Sequence, residues 1–89
     1  MSKEEIINFI KGICVEIKIF DENSDFFKAS SKDFMEYNLR EELNVDSLDI
    51  YELVFRIEKH FSISIADESV GDIETVADLV NKIIRLQGK

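Results

Sequence analysis

The chain has 89 residues, 45% of them apolar and 34% charged, enough for one hydrophobic core and too few for two independently stable units. Nineteen acids against eleven bases give a net charge of −8, which argues against nucleic acid or an anionic membrane as partner because both would be repelled. A single cysteine and a single histidine exclude an internal disulfide and any metal site built from several of either residue.

No stretch approaches the roughly eighteen uncharged apolar residues of a membrane span. The opening "MSKEEIINFI" has acids where a secretory signal needs bases, so the expected location is the cytosol. With no proline and only Gly12, Gly71 and Gly88 as glycines, the composition disfavours tight hairpins and favours helices.

The first helix opens at Ser2-x-x-Glu5, the pattern of a capping box. Ile6, Phe9, Ile10, Ile13, Ile17 and Phe20 follow at three- and four-residue steps and define one apolar stripe. Cys14, beside that stripe, reads as a buried small hydrophobe. Gly12 within the helix costs roughly 1 kcal/mol relative to alanine. Residues 21–46 form a long connection with apolar residues of its own: Phe26, Phe27, Phe34, Met35, Tyr37, Leu39 and Leu43. It is expected to pack on the core, with Ser30-x-x-Asp33 capping a short helix over 31–37.

The second main helix is predicted over Ser47–Phe61. Ile50, Leu53, Val54, Ile57 and Phe61 share one face; Asp49, Glu52, Arg56 and Lys59 share the other. Glu52 and Arg56 have the favourable order for an i,i+4 pair. "SISIADES" alternates weakly, but with no partner strand it reads as a loop into a helical turn near 66–71. Thr75-x-x-Asp78 opens the last helix, whose inner face carries Val76, Leu79, Val80 and Ile83. The expected fold is all-α: a small four-helix bundle of three main helices and a short third one, with a long first loop, in a single domain over 1–89.

Two sites fail on chemistry. "DENSD" at 21–25 imitates the start of a calcium loop, but Phe26 stands where glycine must make the sharp turn and Lys32 where a bidentate glutamate is needed. A serine–histidine hydrolase fails on distance. His60 lies thirteen positions after Ser47 on the same helix, about 20 Å along the axis at 1.5 Å per residue, and a general base must reach hydrogen-bonding distance. His60 is expected to face solvent or the helix C-terminus. Ser47 itself admits two readings. It is a good helix N-cap, and a hydroxyl at a helix start is also a favourable place for an attached phosphate.

Residues 38–83, "NLREELNVDSLDIYELVFRIEKHFSISIADESVGDIETVADLVNKI", resemble the acyl carrier protein family. The core of the likeness is Asp46-Ser47-Leu48, preceded by Leu39-Arg40-Glu41-Glu42-Leu43. Glu52-Leu53-Val54, Ile57-Glu58-x-x-Phe61, Ile65-x-Asp67-Glu68 and Ile73-x-Thr75-Val76 follow at the family's spacing. The resemblance implies a carrier, not an enzyme. Ser47 would receive a 4′-phosphopantetheine arm from coenzyme A through a separate, magnesium-dependent phosphopantetheinyl transferase. The arm would hold acyl groups as thioesters for acyl-transferring, synthase or ligase enzymes with basic docking patches. The corresponding recognition residues are Asp46, Leu48, Asp49, Glu52 and Glu58. Family members can also shelter an acyl chain between helices, which by position makes Val54, Phe55, Ile57, Ile65, Ile73 and Val76 the pocket candidates.

The chain departs from the family pattern at several points. Asn44 replaces a glycine two residues before the motif, though asparagine tolerates the left-handed conformation. Ala66 stands where proline is common, and Arg56, Lys59 and His60 make the end of the second main helix less acidic. With a first connection that is also longer and more aromatic, these departures suggest a carrier specialised within fatty acid, lipid or polyketide-type biosynthesis, with a restricted set of partners; it is expected to be a monomer. The alternatives are an aminoacyl or peptidyl carrier, and an unmodified acidic helical adaptor in which Ser47 is only a cap.

Overall fold

Each long helix begins where a short oxygen-bearing side chain can accept from a backbone N–H that the helix leaves without a partner. The computed structural model describes residues 2–88. Six helices form among them: α1 (Lys3–Glu16), α2 (Asp25–Lys28), α3 (Ser31–Met35), α4 (Ser47–Phe61), α5 (Asp67–Val70) and α6 (Val76–Gln87). Complete capping boxes start α1, α4 and α6. The Ser2 hydroxyl accepts from the Glu5 N–H at 3.2 Å, and Thr75 accepts from the Asp78 N–H at 3.1 Å. The α4 cap belongs to the site below.

Three long helices and the short α5 before the last agree with the expected all-α bundle. On α4 the buried residues are Ile50, Leu53, Val54, Ile57 and Phe61, and on α6 they are Val76, Leu79, Val80 and Ile83, as the periodicity predicts. The stripe on α1 is displaced. Ile7 is fully buried and Phe9 half-buried, and α1 stops at Glu16, so Ile17 and Phe20 lie half-buried beyond its end. The reason is that α1 packs against α3, α4 and α6 together, so more than one face is covered.

The long connection holds two short helices where the spacing predicts one. Ser24 accepts from the Phe26 N–H at 3.1 Å to start α2, which is too short to leave a periodic signal. Ser30 accepts from Asp33 as expected, but α3 stops at Met35. Asp21, within the calcium-like stretch, accepts from the Asn23 N–H at 2.8 Å and so closes a local turn. Phe34 is fully buried and meets Phe20 and Tyr37 edge-on. Lys11, nearly buried on α1, donates to the Ala29 carbonyl at 2.6 Å and lies 5.1 Å from the centre of the Phe34 ring. That contact pins the connection to the first helix.

Residues 38–45 are held still by their own hydrogen bonds. The Asn38 side chain accepts from Arg40 and Glu41, and the Glu42 carboxylate accepts from the Asn38 N–H at 2.8 Å. Leu39 N–H donates to the Glu74 carbonyl at 2.8 Å and Val76 N–H to the Tyr37 carbonyl at 3.0 Å, tying this segment to the start of α6. Asn44 adopts φ 58°, the left-handed turn expected of it. "SISIADES" forms no strand; Ile65 is buried and the segment leads into α5.

Two predictions follow from these contacts. The Asp78 carboxylate accepts from the Thr75 and Glu74 N–H groups, and these bonds hold it below the ordinary value of 3.8. A depressed carboxyl stabilises the fold above its unfolded pKa and loses that contribution as pH falls. Wild type should therefore exceed Asp78→Asn in stability near neutrality, with the gap closing as pH drops below 3.8, measured by urea denaturation across pH. Burial, with a smaller contribution from the Asp49 carboxylate, pushes the Cys14 thiol up to about 12, and the side chain is fully buried. Iodoacetamide at neutral pH should leave Cys14 unlabelled in the folded chain and label it in urea.

Candidate functional site

The structure assigns the α4 cap to Asp46 and not to Ser47. Asp46 has extended backbone angles, φ −88° and ψ −178°, and its carboxylate accepts from the Asp49 N–H at 2.8 Å. Asp49 reciprocates toward the Asp46 N–H at 3.5 Å. The cap falls on Asp46 because of the residues before it. Leu43 and Val45 are buried on either side of the left-handed Asn44, and Val45 N–H bonds the Leu39 carbonyl at 2.8 Å. The chain therefore enters the helix one residue before the serine. Ser47 becomes the first helical residue, exposed, with its hydroxyl outside the capping bonds.

Around it, α4 turns an unusual face outward. Leu48, Tyr51 and Phe55 are 81%, 52% and 55% exposed, and their i, i+3, i+7 spacing aligns them in one stripe. Tyr51 was not among the expected site residues. Its signal was there in the sequence: a second apolar stripe on α4, outside the arc needed for the core. Phe55 requires a correction. Proposed as lining an interior pocket, it lies instead on the surface, with the Lys59 ammonium 5.4 Å from its ring centre. Phe55 borders an open groove of about 650 Å³ between α1 and α4, whose other walls include Phe9, Gly12, Ile13 and Arg56. Arg56 is nine positions from Ser47, about 180° around the helix, so the groove opens away from the serine. His60 is exposed as expected and stacks on Phe9 at 3.9 Å.

The remaining pocket candidates, Val54, Ile57, Ile65, Ile73 and Val76, are brought together in the core and are at most 5% exposed. The acidic candidates all have partners within the chain. Asp46 and Asp49 cap the helix. Glu52 bonds Arg56 at 2.8 Å, and Arg56 also pairs with Glu16 of α1. Glu58 turns to the following loop, its carboxylate accepting from the Ile65 N–H at 2.7 Å. Asp46, Asp49 and Glu52 lie along one side of the helix start, Asp46 and Glu52 exposed and Asp49 partly so. Glu58, three turns on, is only partly exposed.

Comparison with known proteins accords with this arrangement. The family model described as a phosphopantetheine attachment site matches residues 13–83. An acyl carrier protein of Borreliella burgdorferi is 34% identical over 88 residues, 99% of this chain and 100% of that protein. One from Rubrobacter xylanophilus is 33% identical over 87 residues, 98% of each chain. The crystal structure of an acyl carrier protein from Thermotoga maritima superposes with a TM-score of 0.76 at 27% identity, covering 97% of this chain and 91% of that one. The chain thus belongs to the acyl carrier protein family, whose members are carriers rather than enzymes and hold a covalent 4′-phosphopantetheine.

Proposed function

We propose that residues 1–89 form a single carrier domain, modified at Ser47, that delivers acyl intermediates to partner enzymes in the cytosol. The observation that carries this reading is the division of labour at the start of α4: Asp46 makes the cap, and the adjacent serine hydroxyl remains exposed. The residues suit a phosphodiester. The N–H groups of Ser47 and Leu48 belong to the first turn, where no carbonyl four residues earlier lies within the helix. The positive end of the helix dipole favours a phosphate there. The arm supplies a terminal thiol that holds acyl groups as thioesters. With Cys14 buried, the chain offers no accessible thiol of its own to compete for cargo.

Delivery depends on weak, fast docking. Asp46, Asp49 and Glu52 give the helix start a negative field that steers a basic partner, and such charges raise encounter rates more than affinity. Leu48, Tyr51 and Phe55 offer the apolar contact. Once docked, a tethered cargo meets the enzyme's active site at an effective concentration on the order of millimolar. Partners on this reading are a phosphopantetheinyl transferase and acyl-transferring, synthase or ligase enzymes, with the carrier working as a monomer. Arg56, Lys59 and His60, following the acids on α4, support specialisation to a restricted partner set within fatty acid, lipid or polyketide-type biosynthesis. An aminoacyl cargo would use the same serine and differs only in what the arm is found to carry.

Incubation with coenzyme A, magnesium and a broad-specificity phosphopantetheinyl transferase should add the mass of one phosphopantetheine to the wild-type chain and nothing to Ser47→Ala. Failure of the wild type with several transferases would return the chain to the role of an acidic adaptor. Raising ionic strength from about 0.05 to about 0.5 M shortens the Debye length roughly threefold. The initial rate of modification at limiting carrier should fall on the order of tenfold over that range; a salt-insensitive rate would remove the carboxylates from docking.

A further inference from the structure

Glu58 has a role that its place among the acidic residues conceals. Its carboxylate accepts from the Ile65 N–H at 2.7 Å. Its carbonyl accepts from the N–H of Ser62 and from that of Ile63, the latter at 3.2 Å. Three backbone donors of the α4–α5 connection therefore end on one residue. Ser62 adopts φ 55°, the left-handed turn that doubles the chain back toward α4. The connection has few other ties: α5 has four residues, and Ala66 at its start makes no side-chain cap. It is held by the Glu58 carboxylate, by the burial of Ile65, which is 5% exposed, and by Ile63 packing against the core.

The position of Glu58 relates it to the serine. It lies eleven positions after Ser47, about 20° around the helix and about 16 Å along its axis. The two residues thus occupy the same face at opposite ends, with Val54 between them on the side of the core. Val54, Ile57, Ile65, Ile73 and Val76 all belong to the buried core, each at most 5% exposed. Because Ile65 is both buried and bonded through its N–H to Glu58, drawing it out of the core would break the carboxylate–amide bond.

We propose that Glu58 is a positioning residue that latches the α4–α5 connection over the core and so limits the entry of a carried acyl chain. This rests on the reading of Ser47 as the attachment point. It replaces the docking role expected for Glu58, and the two roles separate by chemistry. Docking needs the negative charge. The latch needs only an acceptor oxygen, which glutamine retains and alanine lacks.

The test uses wild type, Glu58→Gln and Glu58→Ala. In the unmodified chain, hydrogen exchange at the Ile65 amide should be at least about tenfold faster in Glu58→Ala, since the amide then loses its acceptor altogether. It should stay within about threefold of wild type in Glu58→Gln. After loading each chain with an octanoyl-phosphopantetheine arm, the rise in melting temperature on loading should be larger in Glu58→Ala than in the other two, because entry no longer breaks the latch. Unchanged Ile65 exchange in Glu58→Ala, or equal behaviour of glutamine and alanine, would overturn the latch. Successful loading with equal increments in all three chains would overturn the gating alone. A wild-type chain that accepts no arm would overturn the attachment reading and the gating with it, while the Ile65 exchange still decides the latch.

Discussion

The site depends on one hydrogen bond, from the Asp49 N–H to the Asp46 carboxylate at 2.8 Å. Serine and aspartate are both preferred helix caps, and here they stand side by side. If Ser47 capped the helix, its hydroxyl would be spent on a backbone donor. With Asp46 as cap, the helix starts one residue earlier and the hydroxyl projects from the first turn. The bond is set by what lies upstream: a left-handed Asn44 between buried Leu43 and Val45, and a segment fastened to the start of α6 through Leu39 and Tyr37. The long connection is thus part of the site, because it fixes where α4 begins.

A second constraint is that the negative charge of α4 serves the fold as well as the surface. Asp46 and Asp49 close a capping box, Glu52 is bridged to Arg56, and Glu58 reaches the loop. Isolated surface pairs contribute little to stability, so the Glu52–Arg56–Glu16 group serves chiefly to orient its charges across α1 and α4. Side chains held in one geometry lose less freedom when a partner arrives. That suits a protein that must dock and release repeatedly.

Much of this was legible in the sequence, for local reasons. Capping boxes at Ser2 and Thr75 use only neighbours three residues apart, and the buried faces of α4 and α6 follow from helical period. The tolerance of asparagine for positive φ carried over to Asn44. What was not legible depends on contacts distant in sequence. The choice between Asp46 and Ser47 as cap is made by a segment docked on α6. Phe55 is the exception, since the period of α4 alone places it with Leu48 and Tyr51, outside the core arc. Ile7 enters the core because three helices cover α1. Glu58 reads as one more surface acid until the path of the loop brings the Ile65 amide to it.

The fold sets one hydroxyl apart from the rest. The chain contains Ser2, Ser24, Ser30, Ser31, Ser62, Ser64, Ser69 and Thr75 besides Ser47, and several of the others sit at helix caps with their oxygens engaged. The most direct measurement is peptide-level fragmentation mass spectrometry of chain carrying the arm, locating the phosphodiester residue by residue. All of it should be found on Ser47. Phosphopantetheine on another hydroxyl, or spread over several, would contradict it.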